Sequence, residues 1–132
     1  MKNYFFAIVC IFLAGCASAP LMLLQPGAQK IQVAKSDPGD NYEIIGPVSV
    51  IDGKGCGKFG YEGSYERAIT ALRNKILGMG GDYAQLVLLT EPHLSGQCYD
   101  NRFILRATAY KKAGSLDHSS CYCCSFWKYS ME

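Results

Sequence analysis

"SYERAITALRNKILGMGGDYAQLVLLT", residues 64–90, joins two different periodicities. In its first part Tyr65, Ala68, Ile69, Leu72, Ile76 and Met79 recur at helical spacing. That spacing lays one apolar stripe along a helix. Arg67, Thr70, Arg73 and Asn74 fall largely on the other side. Ser64 is a favoured N-cap, and Glu66 stands in the first turn, where the helix dipole favours an acid. Gly80-Gly81 stops the helix. The second part, 82–90, is a strand, apolar enough to be central in a sheet.

Downstream, "EPHLSG" at 91–96 reads as a turn. Residues 98–110 contain the last strand. Phe103, Leu105, Ala107 and Ala109 share one face; Arg102, Ile104, Arg106 and Thr108 share the other. The two arginines are expected on a solvated face. Upstream, 42–51 is rich in β-branched residues and predicts a strand. Pro47 lacks an N–H, which places that strand at an edge or gives it a bulge. Residues 30–34 alternate, with Ile31 and Val33 on one face, and predict a further strand. "SDPGDN" at 36–41 has turn composition, so these two strands are expected to form a hairpin. The order is ββαββ over residues 30–112. It predicts a small α+β two-layer sandwich, with one helix on a largely antiparallel sheet.

Between the second strand and the helix lies "IDGKGCGKFGYEGS", residues 51–64. Residues 55–60 fit the G-x-G-x-x-G pattern of a dinucleotide loop. Such a loop must open a helix directly after a strand, within repeated βαβ units. Here the helix starts after the glycines, and Asp82 precedes a strand where the ribose-binding acid would end one. The stretch therefore predicts a flexible connector, not a phosphate cradle. Lys54, Lys58, Phe59 and Tyr61 form a basic, aromatic rim around Cys56 and are the candidate partner-binding residues.

The N-terminus sets the compartment. Lys2 precedes an almost wholly apolar run, 5–14, which is too short for a membrane-spanning helix and predicts an export signal over residues 1–15. It ends in "LAGC" at 13–16, with small residues directly before a cysteine. The motif resembles the lipobox of bacterial lipoproteins. The resemblance implies cleavage before Cys16 and acylation of its thiol and new amino group, an anchor of more than one chain. Ala17, where an Asp would signal inner-membrane retention, points to the outer membrane. Residues 16–29, with Pro20 and Pro26, are expected to be a lipid-anchored tether. Its "LMLL" at 21–24 could lie against the membrane or cap the domain.

Removal of 1–15 leaves 117 residues, one domain's worth, nearly neutral in charge. That balance argues against nucleic-acid binding, which needs a clustered basic surface. Export also implies an oxidising compartment. Cys56 and Cys98 lie at element ends and are the only cysteines of the 30–112 domain, so a disulfide between them is expected. Two free thiols are the alternative. By chain-entropy arithmetic a bridge would contribute about 3–4 kcal/mol. Residues 113–132 form a cysteine- and aromatic-rich tail expected to be disordered. His118, Cys121, Cys123 and Cys124 make a metal- or thiol-binding tail the alternative functional reading. Adjacent Cys123 and Cys124 suit a single ion poorly, because structural zinc sites place ligand pairs on separate turns. Phe126, Trp127 and Tyr129 could rest at a membrane interface. His93 and Ser95 are near each other in sequence, but no nucleophile–base–acid set can be placed. No enzyme activity and no cofactor is expected.

Three stretches carry a wider resemblance: "GPVSVIDGKGC" (46–56), "LRNKILGMGGDYAQLVLL" (72–89) and "SGQCYDNRFILRATAY" (95–110). They resemble the RcsF-like family of outer-membrane lipoproteins and related short lipoproteins, over about residues 44–110. The resemblance implies a Cys56–Cys98 bridge and a non-catalytic domain that faces the periplasm and binds another envelope protein or senses envelope state. The chain departs from that family in two ways. The family's second disulfide would fall at Leu89 and Ile104, and its long proline-rich tether is missing.

Overall fold

The computed structural model describes residues 18–57 and 59–114. Its elements are a 3-10 turn at Ala28–Lys30, then β1 (Gln32–Ala34), β2 (Tyr42–Asp52), α1 (Tyr65–Gly78) and β3 (Tyr83–Thr90). β4 (His93–Ser95), β5 (Cys98–Asp100) and β6 (Phe103–Lys112) follow. One four-stranded sheet has the order β1-β3-β6-β2, and β4 and β5 form a separate two-stranded ribbon. β6 runs antiparallel to both β2 and β3, while β1 joins β3 in parallel. With α1 on one face, this is the α+β sandwich that the periodicities predict.

Alternation along β6 decides which face the helix covers. Leu105, Ala107 and Ala109 point towards α1 and are buried; Arg106 between them is exposed. They meet Ala68, Leu72 and Ile76 of α1, together with Val48, Ala84, Leu86 and Ile31. Leu72, Ile76 and Leu105 are the largest side chains fully out of solvent. Each contributes about 1.5–3 kcal/mol relative to exposure. Tyr65 and Met79, at the two ends of the predicted stripe, are only partly covered.

The expected β1–β2 hairpin does not form. β1 and β2 lie on opposite edges of the sheet, with β3 and β6 between them. The reason lies in the outer edge of β2. Pro47 has no N–H to offer there, the register shifts between Ile44 and Gly46, and Lys75 of α1 donates to the Ser49 carbonyl oxygen at 3.0 Å. A proline, a bulge and a lysine are the devices that close a strand edge to further pairing. β1 pairs instead along the open side of β3, where Gln32 N–H also donates to the Asp82 carbonyl oxygen at 3.2 Å.

Two further departures are local. "EPHLSG" is more than a turn: His93–Ser95 pairs with Cys98–Asp100, and Gly96-Gln97 makes a two-residue hairpin loop. Gly96 has φ 61°, the left-handed region such loops require. The segment expected to be tether is also engaged before residue 30. Asn74 of α1 donates to the Leu23 carbonyl oxygen and accepts from Gln25 N–H, both at 2.8 Å, and Ala28 is fully buried.

Candidate functional site: the disulfide lobe

The Cys56–Cys98 disulfide is present, with Cα atoms 5.5 Å apart. It ties the glycine loop to the β4–β5 ribbon at the N-terminal end of α1 and gives the lobe its frame. Sequence spacing dictates the loop's path. The chain leaves β2 at Asp52, runs out through Cys56 and must return to start α1 at Ser64. The two legs are joined by Lys54 N–H donating to the Tyr61 carbonyl oxygen at 3.0 Å. The return leg then packs against the paired ends of β2 and β6 at Gly63, whose N–H donates to the Asn101 carbonyl oxygen at 3.0 Å. A Cβ at Gly63 would stand 2.5 Å from the Asp52 carbonyl oxygen, and one at Gly53 2.5 Å from that of Asn101. Real Cβ atoms do not approach that closely, so these two glycines allow the backbones to meet.

Asp52 organises the base of the lobe. Its side chain is buried. It accepts from Ser64 N–H at 2.6 Å and from Arg67 Nε–H at 3.2 Å, with a second contact to Arg67 Nη2 at 3.0 Å. Ser64 is the N-cap residue, as its sequence position predicts, but its hydroxyl makes no capping bond to the helix backbone. The Asp52 carboxylate satisfies a free N–H at the helix start instead, from twelve residues upstream. Arg67 also donates to the Glu62 carbonyl oxygen and lies over the Tyr61 ring, 5.1 Å from its centroid. One arginine thus holds the return leg, the helix start and the end of β2 together.

A second ion pair fixes the other wall. Arg102 Nε–H donates to both Asp100 carboxylate oxygens, at 2.9 and 3.1 Å, and Arg102 N–H donates to the same group at 3.1 Å. Hydrogen bonding from the Arg102 side chain holds the Asp100 carboxyl down to about 2. The same pairing raises the Arg102 guanidinium. The guanidinium packs beside Gly55, where a Cβ would lie 3.1 Å from Nε. Arg102 is therefore committed to the lobe, whereas Arg106 is exposed on the sheet. Of the two arginines expected on a solvated face, Arg106 is there and Arg102 is drawn into the ion pair.

Of the expected partner-binding residues, Phe59 is 92% exposed, while Tyr61 is half-buried beneath Arg67 and Lys54 is half-buried against Gly60. Lys58 lies outside the described residues, as do Cys16, His118, Cys121, Cys123 and Cys124. The ribbon supplies two residues that sequence reading did not single out. Leu94 and Tyr99 face each other as a cross-strand pair and are 71% and 56% exposed. The signal for them was "LSGQCY", a two-residue Gly-x turn between short apolar–polar alternations. His93 is exposed and pairs with Asp100 across the ribbon, with its Nδ1 3.0 Å from the Glu91 carbonyl oxygen. At the positions of the family's second staple, Leu89 packs against the core, while Ile104 stands on β6 opposite Thr90 and Ile51.

The lobe can present a rigid apolar surface around a disulfide. Among the described residues no group of three or more His, Cys, Asp or Glu is placed to hold a metal ion, and no helix is long and apolar enough to cross a membrane. No family model, curated protein or solved structure matches the chain.

Proposed function

We propose that the chain is a lipid-anchored cell-envelope protein, held in the outer membrane through Cys16, whose domain faces the periplasm and binds another envelope protein, without catalysis. Binding would couple to envelope state if the partner is itself part of a stress response. One observation carries the binding part. Phe59, Leu94 and Tyr99 stand exposed within four residues of a half-cystine, on backbone fixed by a disulfide and two ion pairs. Exposed aromatics on a rigid frame lose little conformational entropy on binding and are typical interface anchors. The anchoring part is supported by "LAGC" behind the apolar run 5–14.

The test is photocrosslinking in intact envelopes. A photoreactive phenylalanine analogue placed at Phe59 or Tyr99 is expected to give one discrete adduct. The same analogue at Glu43, exposed on β2, is expected to give none. Equal, diffuse labelling from all three positions would reject the lobe as a binding surface.

A further inference from the structure

We infer that the Leu21–Leu24 segment is a second membrane contact that lays the domain directly on a lipid surface, with the disulfide lobe at the far end of α1. The inference rests on acylation of Cys16 and adds an orientation to it. Three observations meet here.

The first is exposure. Leu21 and Leu23 are 85% and 70% exposed, and Met22 and Leu24 are 39% and 40% exposed. Leu21 and Leu23 thus project from a run of four apolar residues, an exposed apolar patch of the kind that marks a contact site.

The second is attachment. Asn74 grips the backbone on both sides of Leu24, through the Leu23 carbonyl oxygen and the Gln25 N–H. Ala28 is buried a few residues later. The apolar segment is therefore part of the domain surface, not a loose leader.

The third is reach. Leu21 is five peptide steps from Cys16. At a maximum of about 3.6 Å per residue, an acylated Cys16 keeps Leu21 within about 18 Å of the headgroups. The gripped Leu23 lies within about 25 Å of them. So short a leash keeps the segment near the bilayer, where making the contact loses little further chain freedom. Arg73, adjacent to Asn74, and Lys30 line a cleft beside β1, and Arg73 Nε–H is buried with no hydrogen-bond partner among the described residues. Neither lines the apolar segment itself, so the contact proposed is an apolar one, of the leucines with the lipid surface. From Asn74 to the helix start at Ser64 is about 15 Å along α1, at about 1.5 Å per residue. The lobe therefore stands clear of the contact.

The experiment uses the full lipidated chain in vesicles of phosphatidylethanolamine and phosphatidylglycerol with brominated acyl chains. Trp127 is the only tryptophan, so Trp127→Phe gives a silent background. Leu21→Trp and Phe59→Trp then place one reporter at each end. Both positions are solvent-exposed, so neither change threatens folding. Mass spectrometry of the N-terminal peptide reads acylation independently. The expected result is an acylated Cys16, blue-shifted emission at position 21, and several-fold stronger bromine quenching there than at position 59. An acylated chain with no quenching at 21, or with equal quenching at both positions, overturns the inference and leaves the anchor standing. A chain without acyl groups overturns both, because the short leash is the premise.

Discussion

Asp52 shows how much one side chain can hold. It ends β2, caps α1 and receives Arg67, three tasks that converge because Gly53 and Gly63 let the backbones close around it. Asp52→Ala strands the helix N–H and a half-buried guanidinium together. It is expected to cost about 2–3 kcal/mol, read as a lower denaturant midpoint at unchanged slope. Asp52→Asn keeps an acceptor for Ser64 N–H and is expected to cost less. Asp100 makes a different prediction, one of pH. Its carboxyl sits at about 2 in the folded chain, below the ordinary unfolded value near 3.9. A lowered folded value stabilises when the group is ionised. The Asp100–Arg102 contribution is therefore fully present above about pH 4 and fades as pH falls towards 2. A carboxyl-carbon NMR titration of Asp100 checks the value directly, and a midpoint near 4 would contradict it. Sequence reading could not find either carboxylate. Asp52 acts on partners twelve to fifteen residues along, which only the tertiary path brings near, and Asp100 acts on Arg102 across the break between β5 and β6, a stretch whose sequence reads as one strand.

At the scale of elements, the helix and the interior strands were legible because each carries its own periodicity over eight or more residues. The apolar face of β6 and the stripe of α1 both match the buried core closely. The pairing of β1 was not legible. Three residues give no register signal, and a turn such as "SDPGDN" suits a hairpin and a crossing connection equally well. What decided it was the closed outer edge of β2, of which only Pro47 shows in the sequence. The β4–β5 ribbon is the element least able to stand alone, since an isolated two-stranded hairpin is marginal in water. Its order depends on the staple to Cys56 and on the Asp100–Arg102 pair. Replacing both cysteines by serine is expected to lower global stability by about 3 kcal/mol. It should also raise amide exchange across residues 93–100 well before the main sheet opens. Unchanged protection in the ribbon would show that the ion pair alone suffices. Crosslinking through Tyr99 should weaken in the same variant, which ties the staple to the proposed binding surface.

For the whole molecule, helix and sheet cover only one face of each other. The face of the sheet away from α1 carries Tyr42, Tyr83 and Tyr110 at one end, with the Tyr83 ring centroid 5.6 Å from that of Tyr42 and 6.3 Å from that of Tyr110, and Ile51 and Ile104 at the other. Tyr83 and Tyr110 are nonetheless buried, and their hydroxyls are satisfied: Tyr110 donates to Gln85 Oε1 and Tyr83 to the Ser36 carbonyl oxygen, both at 2.8 Å. The fold class and the staple were readable because composition and periodicity are whole-chain properties. The proposed binding surface was only half readable, since Phe59 shows as an aromatic among glycines but Leu94 and Tyr99 need the ribbon to bring them out. The grip of Asn74 on residues 23–25 has a mechanical consequence. A tug on the N-terminal end of the domain meets two hydrogen bonds on a helix side chain before it reaches any strand. Only if both give way does the load pass to Ala28, Ile31 and the short parallel β1, where it would act in shear along β3. Drag from the proposed anchor would thus be taken up first by α1, before the central sheet and the stapled lobe.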